Sequence, residues 1–293
     1  MGSTFAESLL TRFPLIKARA AKAQTARPIS TSVKQRMFLP GLRLGMLAMP
    51  NHIARSSLFA PVARGKKKFH KRAILVSRID ALISYTGQQL DEAQADVWMK
   101  LIFEAKDAPL GDPVTIKRAS FLRAIGRSTS ERDYKSLTST MLAFTAATVV
   151  IEARRPDGAQ KYLVGDLRAF HMLSNFEYDA SHETYLLTID PRWKQLFDGR
   201  EYALINWERR LQISQCQDMA KSLQRLVATS SDRVQRYALD WLKDKLQYAS
   251  PMRKFKVSLL AALRELERVR VITGGRLALS TKGREQAVWT RLD

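Results

Sequence analysis

Cysteine is almost missing from this 293-residue sequence. Cys216 stands alone, which excludes an intramolecular disulfide and a zinc finger and suits a reducing compartment. Long apolar runs are missing too. The longest candidate, Met141 to Ile151, is broken by Thr145 and Thr148, and no run reaches the roughly 18–20 residues that span a bilayer, so no membrane partner is expected. No G-x-x-x-x-G-K-[ST] loop occurs: Gly65-Lys66 lacks the first glycine and the hydroxyl residue, which argues against an ATPase. The four histidines (His52, His70, His171, His182) are scattered with no His-x-His pair, so a metal-dependent nickase is not supported. Asp91-Glu92 reads as a helix cap rather than half of a two-metal site. Neither an enzyme nor any cofactor or metal is expected.

Acidic residues are nearly absent from one end. Residues 1–72 hold 15 Lys and Arg against a single acid, Glu7. Residues 73–199 hold 15 against 17, and residues 200–293 hold 19 against 10. A near-neutral middle between a basic arm and a basic final third is the electrostatic outline of a nucleic-acid binder. The first 45 residues also have the composition of an organellar transit peptide, but the basic remainder favours an arm that condenses on DNA.

Periodicity gives an α+β chain. Residues 1–71 read as a basic, largely disordered arm with one short helix near Ala6 to Ala21, and structure is expected to begin at Arg72. Short strands are predicted at Ala73–Ser77, Ile83–Tyr85 and Val114–Ile116, and helices at Gln89–Lys106, Ala119–Ile125 and Ser130–Thr148. The Ser130 helix turns Tyr134, Leu137, Met141 and Phe144 inward. Its outer face carries Arg132, Ser136, Ser139, Thr140 and Ala143. A hairpin follows at Thr148–Ala153 and Lys161–Leu167 around Arg155-Pro156-Asp157-Gly158, and strands at Ala169–Phe176 and Thr184–Ile189 extend its sheet. Pro191 opens a short helix. Helices at Gln217–Ala228, Arg236–Gln247 and Pro251–Arg268 then lead to a hairpin turning at Gly274-Gly275. Helix, turn, helix and hairpin is the winged-helix order. The reading is two tandem winged-helix domains, 72–208 and 209–293, behind the arm.

The helix from Pro251 carries the strongest site signal. Met252, Phe255, Leu259, Ala262, Leu263, Leu266 and Val269 share an apolar arc. Arg253, Lys254, Val257, Ala261, Arg264 and Arg268 lie opposite. Long cations with small residues between them suit entry into a major groove. Arg253, Lys254, Val257, Ala261 and Arg264 are therefore candidate base readers. Lys256, Arg268, Arg270, Arg276 and Lys282 are candidate phosphate contacts around the helix and wing. Arg132, Lys135 and Ser136 are candidates on the Ser130 helix, and Lys66, Lys67 and Lys68 in the arm. An ordinary solvated basic face is the plain alternative for each.

A series of short motifs carries a family resemblance. Met49-Pro50-Asn51, Ala54-Arg55-Ser56-Ser57-Leu58-Phe59, Tyr85-Thr86-Gly87, the Trp98 helix and Gly111-Asp112-Pro113-Val114-Thr115 come in order. They are followed by Tyr134 with Leu137, Phe197 with Gly199, and Trp207-Glu208. Over roughly residues 49–275 the series resembles the TrfA-type replication initiators of broad-host-range plasmids. The resemblance implies a protein of the bacterial cytoplasm that binds repeated sites (iterons) at a plasmid origin as a monomer, its dimer being inactive or inhibitory, so that self-association bears on copy control. It also implies opening of an adjacent A·T-rich segment, binding of one single strand, and recruitment of the host helicase and sliding clamp. The clamp-binding pattern Gln-Leu-x-Leu-Phe has its nearest match at Arg55-Ser56-Ser57-Leu58-Phe59, which lacks the glutamine. Leu58 and Phe59 are thus candidates for clamp contact or for docking the arm.

Two other readings compete. A dimeric winged-helix repressor would bind an operator without melting it. An adaptor with a basic tail would bind nucleic acid with no sequence preference.

Overall fold

Apolar side chains enter the core well before Arg72. The computed structural model describes residues 38–39, 42–62, 67–77, 81–154, 160–164, 170–197 and 201–292. Lys66, the expected turn at 155–158 and the expected helix over 6–21 lie outside them. Within the described set, residues 46–60 form β1 (Met46–Pro50), α1 (Asn51–Arg55) and β2 (Phe59–Ala60). Leu47, Ala48, Met49, Ile53, Ala54, Leu58 and Phe59 in and beside them are buried. This corrects the expectation of an unfolded arm through residue 71. Local composition is basic here, but the apolar minority finds partners far along the chain.

The next strands are β3 (Phe69–Leu75), β4 (Ala81–Gln88) and β5 (Leu90–Asp91). Helix α2 (Glu92–Glu104) starts on a capping box in which the Asp91 carboxylate accepts from Gln94 N at 2.9 Å. The expected cap is therefore half of the Asp91-Glu92 pair, and Glu92 is fully buried. Strand β6 (Val114–Lys117), α3 (Arg118–Ala124) and α4 (Glu131–Ala146) follow, with Ser130 capping α4. Thr140, expected on the outer face of α4, is buried, its hydroxyl satisfied by the Ser136 carbonyl one turn back at 2.9 Å.

Strands β7 (Thr148–Arg154), β8 (Gln160–Val164) and β9 (Phe170–His171) come next. Then come β10 (Leu173–Asp179) and β11 (Thr184–Ile189). The hairpin expected to be the first wing is not one. β7 and β8 join β3 and β4 in a separate sheet, with β9 on β7. The wing is β10–β11, and the sheet order β10-β11-β6 brings it beside the strand before α3. Chain adjacency suggested one pairing, and the pairing found is the one that buries Leu173, Leu187 and Ile189.

A 3-10 turn at Pro191–Trp193 runs into α5 (Lys194–Phe197), then β12 (Tyr202–Asn206) and α6 (Trp207–Gln212). β12 pairs antiparallel with β1. This unit has one core cluster reaching from Phe38 to Trp207, with Trp98 and Trp193 at 4.8 Å between ring centroids near its centre.

A second cluster runs from Ile213 to Trp289. It holds α7 (Asp218–Val227), β13 (Val234–Ala238), α8 (Leu239–Lys245), α9 (Met252–Arg268), β14 (Ile272–Leu279) and β15 (Glu285–Arg291). Sheet order β13-β15-β14 repeats the plan of β6, β11 and β10, so both units are winged helices. Residues 236–238, expected to open the helix that starts at Leu239, belong instead to the strand β13. Gln235 is its inward residue, donating to the Val227 carbonyl at 3.0 Å and accepting from Trp289 Nε1 at 3.0 Å. A polar residue at an inward position conceals the period of two. No described helix is long and apolar enough to cross a membrane.

The joint between the two clusters is ionic and buried. Arg210 Nε donates to Asp96 Oδ1 at 2.5 Å, and Nη2 to Glu92 Oε2 at 3.0 Å. Arg225 pairs with the same Glu92 and donates to the Phe59 carbonyl at 3.1 Å. Lys221 Nζ lies 2.9 Å from Asp96 Oδ2. Burial by itself would raise the Asp96 carboxyl, but Arg210 and Lys221 hold it below the ordinary range. Breaking one member of such a buried set costs about 3–5 kcal/mol.

Candidate nucleic-acid interface

Helix α9 begins unfavourably for its own stability. Pro251 is the N-cap and offers no side-chain hydrogen bond, and the first turn has no acid. It carries Arg253 and Lys254 instead, next to the positive end of the helix dipole. Free backbone N–H groups and two cations at one helix end make a place for an anion.

The rest of α9 obeys the expected wheel. Phe255, Leu259, Ala262, Leu263 and Leu266 are buried. Arg253, Lys254, Val257, Ala261 and Arg264 are exposed, and Val257 is 68% accessible despite being apolar. Burying Val257 was available to the fold only by rotating Leu259 and Phe255 outward. Among the described residues, Arg253, Lys254 and Arg264 make no ion pair, so their charge is uncompensated.

Beside α9 stands the second wing, and its turn is not at Gly274-Gly275. Those glycines occupy a register shift inside β14, between Thr273 and Arg276. Gly274 has φ of +66°, and a Cβ on Gly275 would lie 3.0 Å from Leu263 Cβ of α9. Glycine is needed there for close approach, not for reversal. Glu267 Oε1 fastens the spot by accepting from Gly275 N at 2.9 Å. The reversal lies at Ser280–Arg284, where Gly283 N donates to the Ser280 carbonyl at 2.9 Å and Gly283 has φ of +70°. Lys282 and Arg284 are exposed on that tip. Arg284 was missed from sequence because the hairpin was centred too early. The Thr281-Lys282-Gly283 stretch is the signal that locates it.

The remaining expected phosphate contacts divide. Arg270 and Arg276 are exposed, Arg276 Nη1 donating to the Gly274 carbonyl at 3.1 Å. Lys256 is paired with Glu285 at 2.5 Å. Arg268 departs from expectation. It stands at the far end of the helix from Arg253 and is tied to Glu265 Oε1 at 2.6 Å and to the Gln212 carbonyl at 2.6 Å. Its hydrogen bond is the leading cause that lowers the Glu265 carboxyl to about 2.

The amino-proximal unit is less basic at the equivalent places. Arg132, Lys135 and Ser136 are exposed on α4, with Lys135 3.5 Å from Glu131. The tip of wing β10–β11 carries Asp179, His182 and Glu183, and Asp179 is held well below the usual carboxylate range by the Ser181 hydroxyl and His182. Arg118 stacks over Tyr134 at 4.1 Å and pairs with Glu183 at 2.7 Å. An acidic first wing and a basic second wing place the favourable field for a polyanion on the carboxyl-proximal unit.

Two arm expectations change. Lys67 is 2.6 Å from Asp91 and 2.7 Å from Gln94 Oε1, so it braces the start of α2. Lys68 is exposed. Leu58 and Phe59 are 0% accessible. Both belong to the first core cluster, so neither is exposed to an outside partner. Among the described residues no group of His, Cys, Asp or Glu is arranged to hold a metal ion.

Comparisons with known proteins bear on the family and the fold. A family model described as TrfA protein matches residues 20–250. A curated relative, the plasmid replication initiator protein TrfA of Escherichia coli, is 28% identical over 177 residues, which is 58% of this chain and 44% of the relative. The chain thus spans less than half the length of that relative. A crystal structure of domains 2 and 3 of RctB superposes with a TM-score of 0.54 at 14% identity, covering 83% of this chain and 98% of that one. The Pi initiator protein in complex with iteron DNA gives 0.52 at 14% identity, covering 85% and 98%. At such identity these two likenesses speak for the fold alone.

Proposed function

The chain belongs to the TrfA protein family, and on that premise we propose that it is a plasmid replication initiator that binds repeated duplex sites at an origin in the bacterial cytoplasm. The single observation that carries this reading is the outer face of α9. Arg253, Lys254, Val257, Ala261 and Arg264 are exposed together, along one face of a helix whose first turn has no acid. That is what a groove-reading helix needs and what an ordinary surface helix avoids.

The division of labour follows from chemistry. Arg253, Lys254 and Arg264 hydrogen-bond base edges, with guanine the natural partner of a bidentate cation. Val257 and Ala261 leave room for close approach and pack on thymine methyl groups. Lys282, Arg284, Arg270 and Arg276 bind phosphates from the wing side, and fix register rather than sequence. Arg132, Lys135 and Ser136 on α4 add phosphate contacts from the first unit, and Lys68 adds one ahead of it. The adjacent A·T-rich duplex opens where unstacking costs least, through several copies bound on adjacent repeats. The same reading includes a single-stranded DNA contact and recruitment of the host helicase. It includes no clamp contact through Leu58 and Phe59. No covalent step is required of the protein.

The test is a gel-shift competition between an origin duplex with direct repeats and a scrambled duplex. Each bidentate base contact is worth about 1–3 kcal/mol of discrimination. Arg253→Ala with Lys254→Ala is expected to abolish most of the preference for the origin while leaving weak, salt-sensitive binding to both. Unchanged discrimination would remove α9 from the reading.

A further inference from the structure

The connector between the two winged helices is held from both sides along its whole length. At its first residue, Trp207 Nε1 donates to the Ala124 carbonyl, at the end of α3, at 2.9 Å. Asn206 caps the helix, accepting from Arg209 N at 2.9 Å, while its carbonyl accepts from Gln224 Nε2 of α7 at 3.2 Å. In the middle, Arg210 reaches both units at once. It binds Glu92 and Asp96 of α2 on one side, and on the other the Lys221 carbonyl at 2.9 Å and Gln224 Oε1 at 3.3 Å. At the far end the Gln212 carbonyl takes its hydrogen bond from Arg268 of α9, and Ser214 N donates to Glu265 Oε1 of α9 at 2.6 Å. The α3–α4 turn also leans on the connector: a Cβ on Gly126 would sit 3.0 Å from Leu211 Cδ2.

From this we infer that α6 is a rigid splint that holds the two helix–turn–helix units in one fixed phase on DNA, with Arg210 as its pin and Arg268 as a positioning residue. The inference rests on the proposed reading of duplex DNA and deepens it. A flexible tether has an exposed, unpartnered backbone. Here the guanidinium of Arg210 is buried with four acceptors, and moving one unit against the other strips acceptors from a charge that has no water to replace them. Sequence specificity then includes spacing. One inserted base pair shifts one contacted segment by about 3.4 Å and rotates it by about a tenth of a turn, and a splint cannot follow. Arg268 contributes by pinning the last turn of the reading helix to the connector, not by touching phosphate.

The experiment uses the full chain and a duplex it selects from a randomised library. Hydroxyl-radical footprinting of that duplex is expected to give two protected segments. Base pairs are then inserted between them: one, about half a turn, and about one full turn. Wild type is expected to lose about tenfold or more on every insert, including the full turn, which restores phase but not distance. Arg268→Ala is expected to keep its salt slope on the original duplex and to lose less than wild type on the single-pair insert. Wild-type binding that recovers on the full-turn insert overturns the splint. So does a salt slope that falls by about 0.9 in Arg268→Ala, the mark of a lost phosphate contact. Selection of no sequence, or one protected segment only, refutes the two-unit reading of DNA itself and the splint with it.

Discussion

Replacing Lys245 by methionine is expected to stabilise the chain at neutral pH and to erase a pH dependence. Lys245 ends α8 and is completely buried. Among the described residues its ammonium has only the Ser56 carbonyl and the Ser222 hydroxyl within reach, both at 3.4 Å. Arg225 faces it from α7 and Glu92 from α2. Burial first, and then the charge of Arg225, bring its pKa down from 10.5 to about 7, with Glu92 opposing. The folded chain therefore binds fewer protons than the unfolded chain between about pH 7 and pH 10.5, and stability rises with pH across that window. Below the folded pKa the whole cost of burying the charge is present. The gap between 10.5 and about 7, at about 1.4 kcal/mol per pH unit, sets that cost at about 5 kcal/mol. By about pH 9 it has fallen to about 2 kcal/mol. Methionine has a similar reach and no charge. The stability difference between Lys245→Met and wild type is thus largest below pH 7 and shrinks by about 3 kcal/mol by pH 9, or roughly 6–12 °C in Tm. Thermal and urea unfolding of both proteins at several pH values measures it, and groups common to both cancel. A difference that stays constant with pH, or a variant less stable throughout, refutes the reasoning.

Two further outcomes follow from the interface. Lys282→Ala and Arg284→Ala, on the exposed tip of the second wing, are each expected to lower the salt slope of binding by about 0.9 without changing the preferred sequence; a changed preference would make the tip a base reader. Replacing each thymine of the selected duplex by deoxyuridine is expected to weaken wild type at one position and to leave Val257→Ala indifferent there. Equal losses in both proteins would show that the exposed Val257 side chain does not meet a methyl group.

Much of the carboxyl-proximal site was legible because it is local. The spacing of Phe255, Leu259, Ala262, Leu263 and Leu266 turns Arg253, Lys254 and Arg264 outward whatever surrounds the helix. Asp91 announces the start of α2 by the same logic. The wings were misplaced for the opposite reason. Gly274-Gly275 looks like a turn in sequence, and only the approach of Leu263 shows that the glycines serve packing. The hairpin β7–β8 follows α4 directly, yet its partners β3 and β4 precede α2, and no period within β7 states that. The strand at Val234–Ala238 was hidden by Gln235, whose inward position makes sense only once Trp289 and the Val227 carbonyl are beside it.

Amino-acid order alone settled the distribution of charge and the buried face of each amphipathic helix. Both are short-range properties, governed by residue type and by a repeat of 3.6 positions. Tertiary structure decided which cations remain available. Arg210 and Arg225 are consumed by Glu92 and Asp96, Arg268 by Glu265 and Gln212, and Lys67 by Asp91. Arg253, Lys254 and Arg264 keep their charge for an outside partner. Arginines with the same chemistry take these opposite roles because a buried carboxylate must be neutralised wherever the fold places it, and most of those placements join residues far apart in the chain.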